Sequence, residues 1–173
     1  MKCKICKIKF EPRFFLQKTC TEPKCLAEHQ KLDRELKADK KHNAKKKDLK
    51  DNDKSHRAKL AQQAFNAFIR FRDNGDPCIS CQRFHTGQYH AGHYRSVGAH
   101  PELRFEELNN NKQCAPCNNH LSGNVADYRI NLIKKIGVEK VEWIEGPHEA
   151  KKYTCAELKA IEVLYKQKLK DLL

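Results

Sequence analysis

Residues 78–120 read CISCQRFHTGQYHAGHYRSVGAHPELRFEELNNNKQCAPCNNH. This stretch opens on Cys78-Ile79-Ser80-Cys81 and closes on Cys114-Ala115-Pro116-Cys117 and a trailing Asn118-Asn119-His120. A CxxC turn brings two sulfurs to one side, and two such turns complete a closed tetrahedral zinc site. A redox pair would need a single CxxC in a thioredoxin-like βαβ setting, which is absent. The 32 residues between the pairs are more than a zinc ribbon needs. They hold His90-Ala91-Gly92-His93-Tyr94 and Asn109-Asn110-Asn111, so the zinc turns enclose polar residues capable of chemistry.

Outward from this centre the pattern is helical. Upstream, Leu60, Ala61, Ala64, Phe65, Phe68 and Phe71 repeat at three- and four-residue steps, which predicts one buried helical face. Asp73-Asn74-Gly75-Asp76-Pro77 is a dense stop signal after it. Downstream, Asn124 reads as a cap, and Val125, Tyr128, Leu132, Ile133 and Ile136 give a helix ending at Gly137. A shorter helix over 138–145 stops at Gly146-Pro147. Thr154-Cys155-Ala156-Glu157 is a capping box for the last helix, whose apolar side is Leu158, Ile161, Leu164, Tyr165 and Leu169. The expected fold class is α+β and mostly helical.

The N-terminal third has a different character. Cys3-x2-Cys6 and Cys20-x4-Cys25 read as ligands of a second zinc in a small knuckle. Phe10, Phe14 and Phe15 lie between the pairs as its candidate core. Nine cysteines in a chain with no signal-peptide-like start and no membrane-spanning run argue against a disulfide framework. Residues 26–59 are rich in Lys, Asp and Ala, without Pro or Gly, and predict a solvated helix or a disordered basic linker. Four segments follow: a knuckle over 1–25, the linker over 26–59, a core with its leading helix over 60–146, and a C-terminal helix over 147–173.

Of the net charge of +13, residues 1–60 hold a surplus of 10 and residues 61–173 a surplus of 3. A concentrated positive field favours a polyanion through counterion release, against the plain alternative of a solvated tail. The candidate phosphate contacts are Lys40, Lys41, Lys45, Lys46 and Lys47, with Arg95 beside the central motif.

The order CxxC, GH, N-x4-CxxCN resembles an HNH nuclease in which zinc clamps a ββα-metal motif, as in the phage endonuclease VII type. It is more closely similar to the NinG (Rap) recombination family of lambda-like phages. The segments carrying that likeness include Ala61-Gln62-Gln63-Ala64, Asn66-Ala67-Phe68-Ile69-Arg70, Ala91-Gly92-His93-Tyr94-Arg95, Leu103-Arg104-Phe105, Lys112-Gln113-Cys114 and Ser122-Gly123-Asn124.

The resemblance implies a small zinc-clamped ββα-metal core with flanking helices. It also implies metal-dependent cleavage of branched DNA such as Holliday junctions and D-loops. His93 then becomes the general base at the end of a first strand. Asn118, opening the helix after the zinc turn, binds the catalytic magnesium or manganese, with His90 and His120 as further candidate ligands. Asn109 is the middle Asn that fixes the loop holding the His; Asn110, Asn111 and Asn119 read equally well as turn and cap residues. Two positions depart from the pattern. Gly92 stands where many such sites place an acidic ligand, and His90 stands where relatives carry Asp, which admits manganese or another transition ion. Leu121 replaces a frequent Lys.

A non-catalytic zinc module binding DNA or RNA is the competing reading, and a structural partner in a recombination complex is a third. The first does not account for His93 and Asn118 at nuclease spacing, and the basic linker does not fit the third reading. Symmetric junction resolution implies a homodimer, with the last helix or residues 26–59 as its interface. No membrane and no small-molecule substrate are expected, and the expected location is the cytoplasm of the bacterial host.

Overall fold

The computed structural model describes residues Met1–Leu173. It divides into two compact units, Met1–Lys50 and Asp51–Leu173. The fold is mostly helical α+β, as expected, with a single two-stranded sheet; the helices are those the periodicities predict. No helix is long and apolar enough to cross a membrane.

In the first unit a short hairpin closes through the Lys2–Lys9 bridge and is followed by helix α1, Pro23–Asp51. Cys25 lies in the first turn of α1, so the last cysteine of the knuckle is carried by the helix. α1 is the solvated helix of the two alternatives, with Cys25 its one buried residue. An evenly polar helix has no face to bury, so it stays a single exposed rod. The expected phenylalanine core does not form: Phe14 is 64% exposed and Phe15 95%. Cys3, Gln17, Thr19 and Cys25 fill the interior instead. A unit held by four sulfurs has room for them and little else.

The second unit is organised by helix α2, Lys54–Arg72. Asp53 caps it, its carboxylate accepting from the N–H groups of Ser55 (2.8 Å) and His56 (3.2 Å). The helix therefore starts six residues before the first apolar position of its stripe, Leu60. The buried face is Ala61, Ala64, Phe65, Phe68 and Ile69, whereas Phe71, expected inside, is 37% exposed. Helix α5, Cys155–Asp171, packs on this face behind the predicted capping box of Thr154 and Glu157. Phe65 meets Tyr165 and Phe105 edge-on at ring separations of 4.7 and 5.7 Å. Leu164, placed on the inner side by periodicity, is 49% exposed, and Glu162 is buried in its stead. Glu162 is inside because Arg57 of α2 donates to it at 3.3 Å. A buried carboxylate needs such a partner.

Strands β1, Tyr89–His93, and β2, Asn110–Cys114, pair antiparallel in the register Tyr89–Cys114 to His93–Asn110. A two-stranded sheet is marginal alone, and this one is clamped from outside. Asp73, at the end of α2, accepts from the Lys112 N–H at 3.0 Å. Arg72 donates to the carbonyls of Glu107 (3.2 Å) and Asn110 (2.8 Å). After β2 the chain makes a five-residue π-helical turn, Pro116–His120, then helix α3, Val125–Ile136, and helix α4, Val138–Glu145. Asn118 thus lies inside a short turn, and not at the start of a longer helix as expected. Tyr128, Leu132, Val141 and Ile144 of α3 and α4 form a second core with Ile79, Tyr94 and Leu103. Asn124 occupies the cap position of α3, but in left-handed backbone (φ 44°) and without a side-chain capping bond.

Candidate functional site

Two sets of four sulfurs stand together. Those of Cys78, Cys81, Cys114 and Cys117 lie within 4.8 Å of one another, as do those of Cys3, Cys6, Cys20 and Cys25. A tetrahedral zinc with Zn–S bonds of about 2.3 Å separates its sulfurs by about 3.8 Å. The Cys81–Cys114 and Cys6–Cys20 pairs are at 3.9 Å. Both sets therefore fit a structural zinc, with no place left open for a reacting ligand.

Each set also holds a sulfur ringed by backbone N–H groups. Burial works to raise the Cys78 thiol, but N–H groups of Cys114, Cys81 and Ser80 outweigh it and pull its pKa down. The Cys114 N–H lies 3.3 Å from that sulfur. At Cys3 the same contest, with N–H groups of Cys20, Cys6 and Ile5, ends at about 6. Such donors favour the thiolate, the form that binds a metal. His85 approaches the central set, with Nε2 3.2 Å from the Cys81 sulfur.

Strand alternation decides how the remaining candidates are grouped. Successive side chains of β1 point to opposite faces, so His90 and His93, three residues apart, lie on opposite faces of the hairpin. On one face, Asn118 donates from Nδ2 to His90 Nδ1 at 2.9 Å and to Asn119 Oδ1 at 3.0 Å. The structure thus brings His90 and Asn118 together, two residues 28 positions apart. His120, the third candidate ligand, is exposed.

On the other face, at the very end of β1, His93 is held by a backbone group. Its Nε2 lies 3.0 Å from the Arg104 carbonyl. A carbonyl only accepts, so Nε2 carries the proton and Nδ1 keeps its lone pair. Burial pushes the His93 pKa below the usual imidazole value, against the opposing pull of that carbonyl. The ring is therefore neutral at neutral pH, with one nitrogen able to accept a proton. Neither histidine ring is bonded to the other, and no hydrogen bond joins His93 to Asn118.

Asn109 is fully buried and makes three side-chain bonds. Its Oδ1 accepts from the Arg95 N–H at 2.7 Å, and its Nδ2 donates to the carbonyls of Arg95 (3.0 Å) and Leu103 (3.2 Å). One amide thereby fastens the chain just after His93 to the segment that supplies the Arg104 carbonyl. Arg104 is itself held by α2, its Nε donating to Gln62 Oε1 at 2.7 Å. Arg104 acts here through its main chain, which no side-chain motif encodes, so sequence reasoning did not find that role. Arg104 and Gln62 were both visible only as parts of family-like segments, with no role attached.

Gly92 has a packing reason. A Cβ placed on it would lie 2.1 Å from Oε1 and 2.9 Å from Cβ of Gln113. Gln113 is fully buried, and its Nε2 donates to Ser80 Oγ (2.7 Å) and the Gly123 carbonyl (2.5 Å). It fills the space an acidic side chain at position 92 would need. The position next to His93 is therefore closed, and the polar partner of Asn118 comes from His90.

The basic residues divide. Lys40, Lys41, Lys45, Lys46 and Lys47 are all exposed on α1. At four- and seven-residue spacings, Lys41 shares a face with Lys45 and Lys40 with Lys47, while Lys46 points elsewhere. They encircle the helix. Arg95 is half-buried, its guanidinium donating to the Glu145 carbonyl at 3.3 Å.

Comparison with known proteins gives a consistent picture. The family model described as "Bacteriophage Lambda NinG protein" matches residues 1–173. The "Protein ninG" of Escherichia phage 933W is 44% identical over 187 residues, covering 99% of this chain and 92% of the relative. That of Salmonella phage P22 is 52% identical over 119 residues, 69% of this chain and 59% of the relative. That of Escherichia phage lambda is 53% identical over 119 residues, 69% of this chain and 58% of the relative. No solved structure matches.

Proposed function

This chain belongs to the bacteriophage lambda NinG family, and on that premise we propose that it is a zinc-stabilised, metal-dependent endonuclease of the HNH class that cuts branched DNA. The observation that carries the reading is the state of His93. It ends β1 as a neutral imidazole whose Nε2 proton is committed to the Arg104 carbonyl, leaving Nδ1 to take a proton from an attacking water.

The ion site of this reading is the His90–Asn118 pair. Two ligands at right angles on an octahedral ion at about 2.1 Å stand about 3 Å apart. The 2.9 Å between His90 Nδ1 and the Asn118 amide matches such an edge, with the amide turned so that its oxygen faces the ion. Magnesium or manganese bound there would stabilise charge on the phosphate and its leaving oxygen. An imidazole in place of a carboxylate favours manganese or a softer ion. Asn109 serves as a positioning residue, holding the loop after His93. The two cysteine sets hold structural zinc, and the lysines of α1 supply phosphate contacts. Two copies acting on the two arms of a junction would account for symmetric cutting.

One observation favours the alternative of a non-catalytic zinc module that binds nucleic acid: His93 and the His90–Asn118 pair lie on opposite faces of β1. The deciding experiment is cleavage of a labelled four-way junction by zinc-loaded protein, with and without added manganese or magnesium. Ion-dependent strand scission lost in His93→Ala supports the nuclease. Binding without scission under every ion leaves the module.

A further inference from the structure

The N-terminal unit presents apolar residues to solvent with no use inside the fold. Arg13-Phe14-Phe15-Leu16-Gln17 forms a turn closed by the Gln17 N–H donating to the Phe14 carbonyl at 3.1 Å. Gln17 is buried, and its side chain fixes the turn from within. Its Oε1 accepts from the Arg13 N–H at 2.6 Å, and its Nε2 donates to the Thr19 carbonyl at 2.8 Å. Phe15 and Leu16 occupy the tip at 95% and 73% exposure, with Phe14 beside them at 64%. Three consecutive large apolar residues on a braced turn mark an interaction site. The surroundings name its partner class. Residues 1–22 hold six Lys and Arg against two Glu, with Arg13 and Lys18 at the base of the turn.

We propose that this turn is a base-stacking site, Phe14 and Phe15 lying against unpaired nucleobases while the flanking cations hold the adjoining phosphates. Aromatic rings within a basic surface are the arrangement that binds single-stranded nucleic acid, because every base offers a π-face. In intact duplex those faces are already stacked, whereas a branch point or bulge leaves some free. The turn thus reads the feature that distinguishes branched from linear DNA. The tip is already exposed, so a base meets the rings without any prior opening of the fold. This deepens, and rests on, the reading of branched DNA as the substrate.

The test uses full-length zinc-loaded protein without added magnesium or manganese, so that binding is read apart from cleavage. Anisotropy titrations compare a duplex carrying a three-base bulge with a fully paired duplex of the same length, with 2-aminopurine in the bulge. Phe14→Ala/Phe15→Ala should weaken binding to the bulged DNA by about ten- to a hundredfold. Affinity for paired duplex should change less than twofold, and quenching of 2-aminopurine should be lost. Phe15→Trp should keep the quenching. Zinc content and helicity should stay at wild-type levels, since the substituted rings support nothing inside. Equal losses on both DNAs, or no loss on either, would overturn the proposal. Unchanged DNA affinity with loss of self-association would assign the turn to a protein partner. If the wild type binds neither DNA, the branched-DNA reading falls too; if it binds both regardless of the rings, only the stacking site falls.

Discussion

His93 donates from Nε2 to the backbone carbonyl of Arg104 at 3.0 Å, which leaves its Nδ1 unprotonated and pointing away from that bond. A general base must be neutral to act, and burial holds this imidazole below its ordinary pKa of 6.5. Cleavage should therefore rise with pH through a pKa under that value and reach its plateau by neutral pH. His93→Ala should lower the rate by about two to four orders of magnitude and abolish the acid limb, with junction binding and zinc content retained. Wild-type rates in the variant would remove His93 from the mechanism.

His90 faces Asn118, its Nδ1 2.9 Å from the Asn118 amide nitrogen, and offers an imidazole in place of a carboxylate. His90→Asp should shift the ion preference from manganese toward magnesium, because a hard anionic oxygen suits the harder ion. Asn118→Ala should raise the ion concentration required for half-maximal cleavage, with partial recovery at high metal. An unchanged ion profile in both variants would place the catalytic ion elsewhere.

Metal analysis of the purified chain should return two zinc ions. Cys114→Ser should leave one and remove the cooperative melting of the Asp51–Leu173 unit, since binding energy in a small zinc site is folding energy. Cys20→Ser should also leave one, yet preserve that melting, because its sulfur belongs to the other unit. Identical melting in all three proteins would mean that the central sulfurs do not clamp the hairpin.

Gly92→Ala should destabilise the protein by roughly 1–3 kcal/mol through overpacking, its new methyl meeting buried Gln113. The double variant with Gln113→Ala should lose less than the sum of the single changes, because the second substitution clears the space. Additive losses in denaturant titrations would show that the two side-chain positions do not compete.

Replacing Lys40, Lys41, Lys45, Lys46 and Lys47 by Gln should weaken binding to every DNA alike. Each phosphate contact contributes about 0.9 to the slope of log affinity against log salt. Because the five encircle α1, one duplex meets about two or three of them, so the slope should fall by about 2 to 3. A drop near the full value for five contacts would mean that DNA wraps the helix; no drop would place it elsewhere.

The sequence by itself determined what depends on neighbours in the chain. Periodicity marked the helices over 125–136 and 138–145, the capping box at Thr154 marked α5, and the two CxxC turns announced a four-sulfur site. Helix caps, turns and the 3.6-residue stripe are local properties, so they survive without tertiary context. What only the tertiary structure decided is which side chains face each other across the fold. Strand alternation separated His93 from His90, and β2 with its π-helical turn carried Asn118 back to His90 over 28 positions. The same folding put Glu162 inside because Arg57 waited there, turned Phe14 and Phe15 outward because Cys3, Gln17, Thr19 and Cys25 already fill the knuckle, and engaged the Arg104 main chain, which carries no residue signature. Pairing across the chain is a matter of geometry between distant segments, and no window of sequence contains both partners.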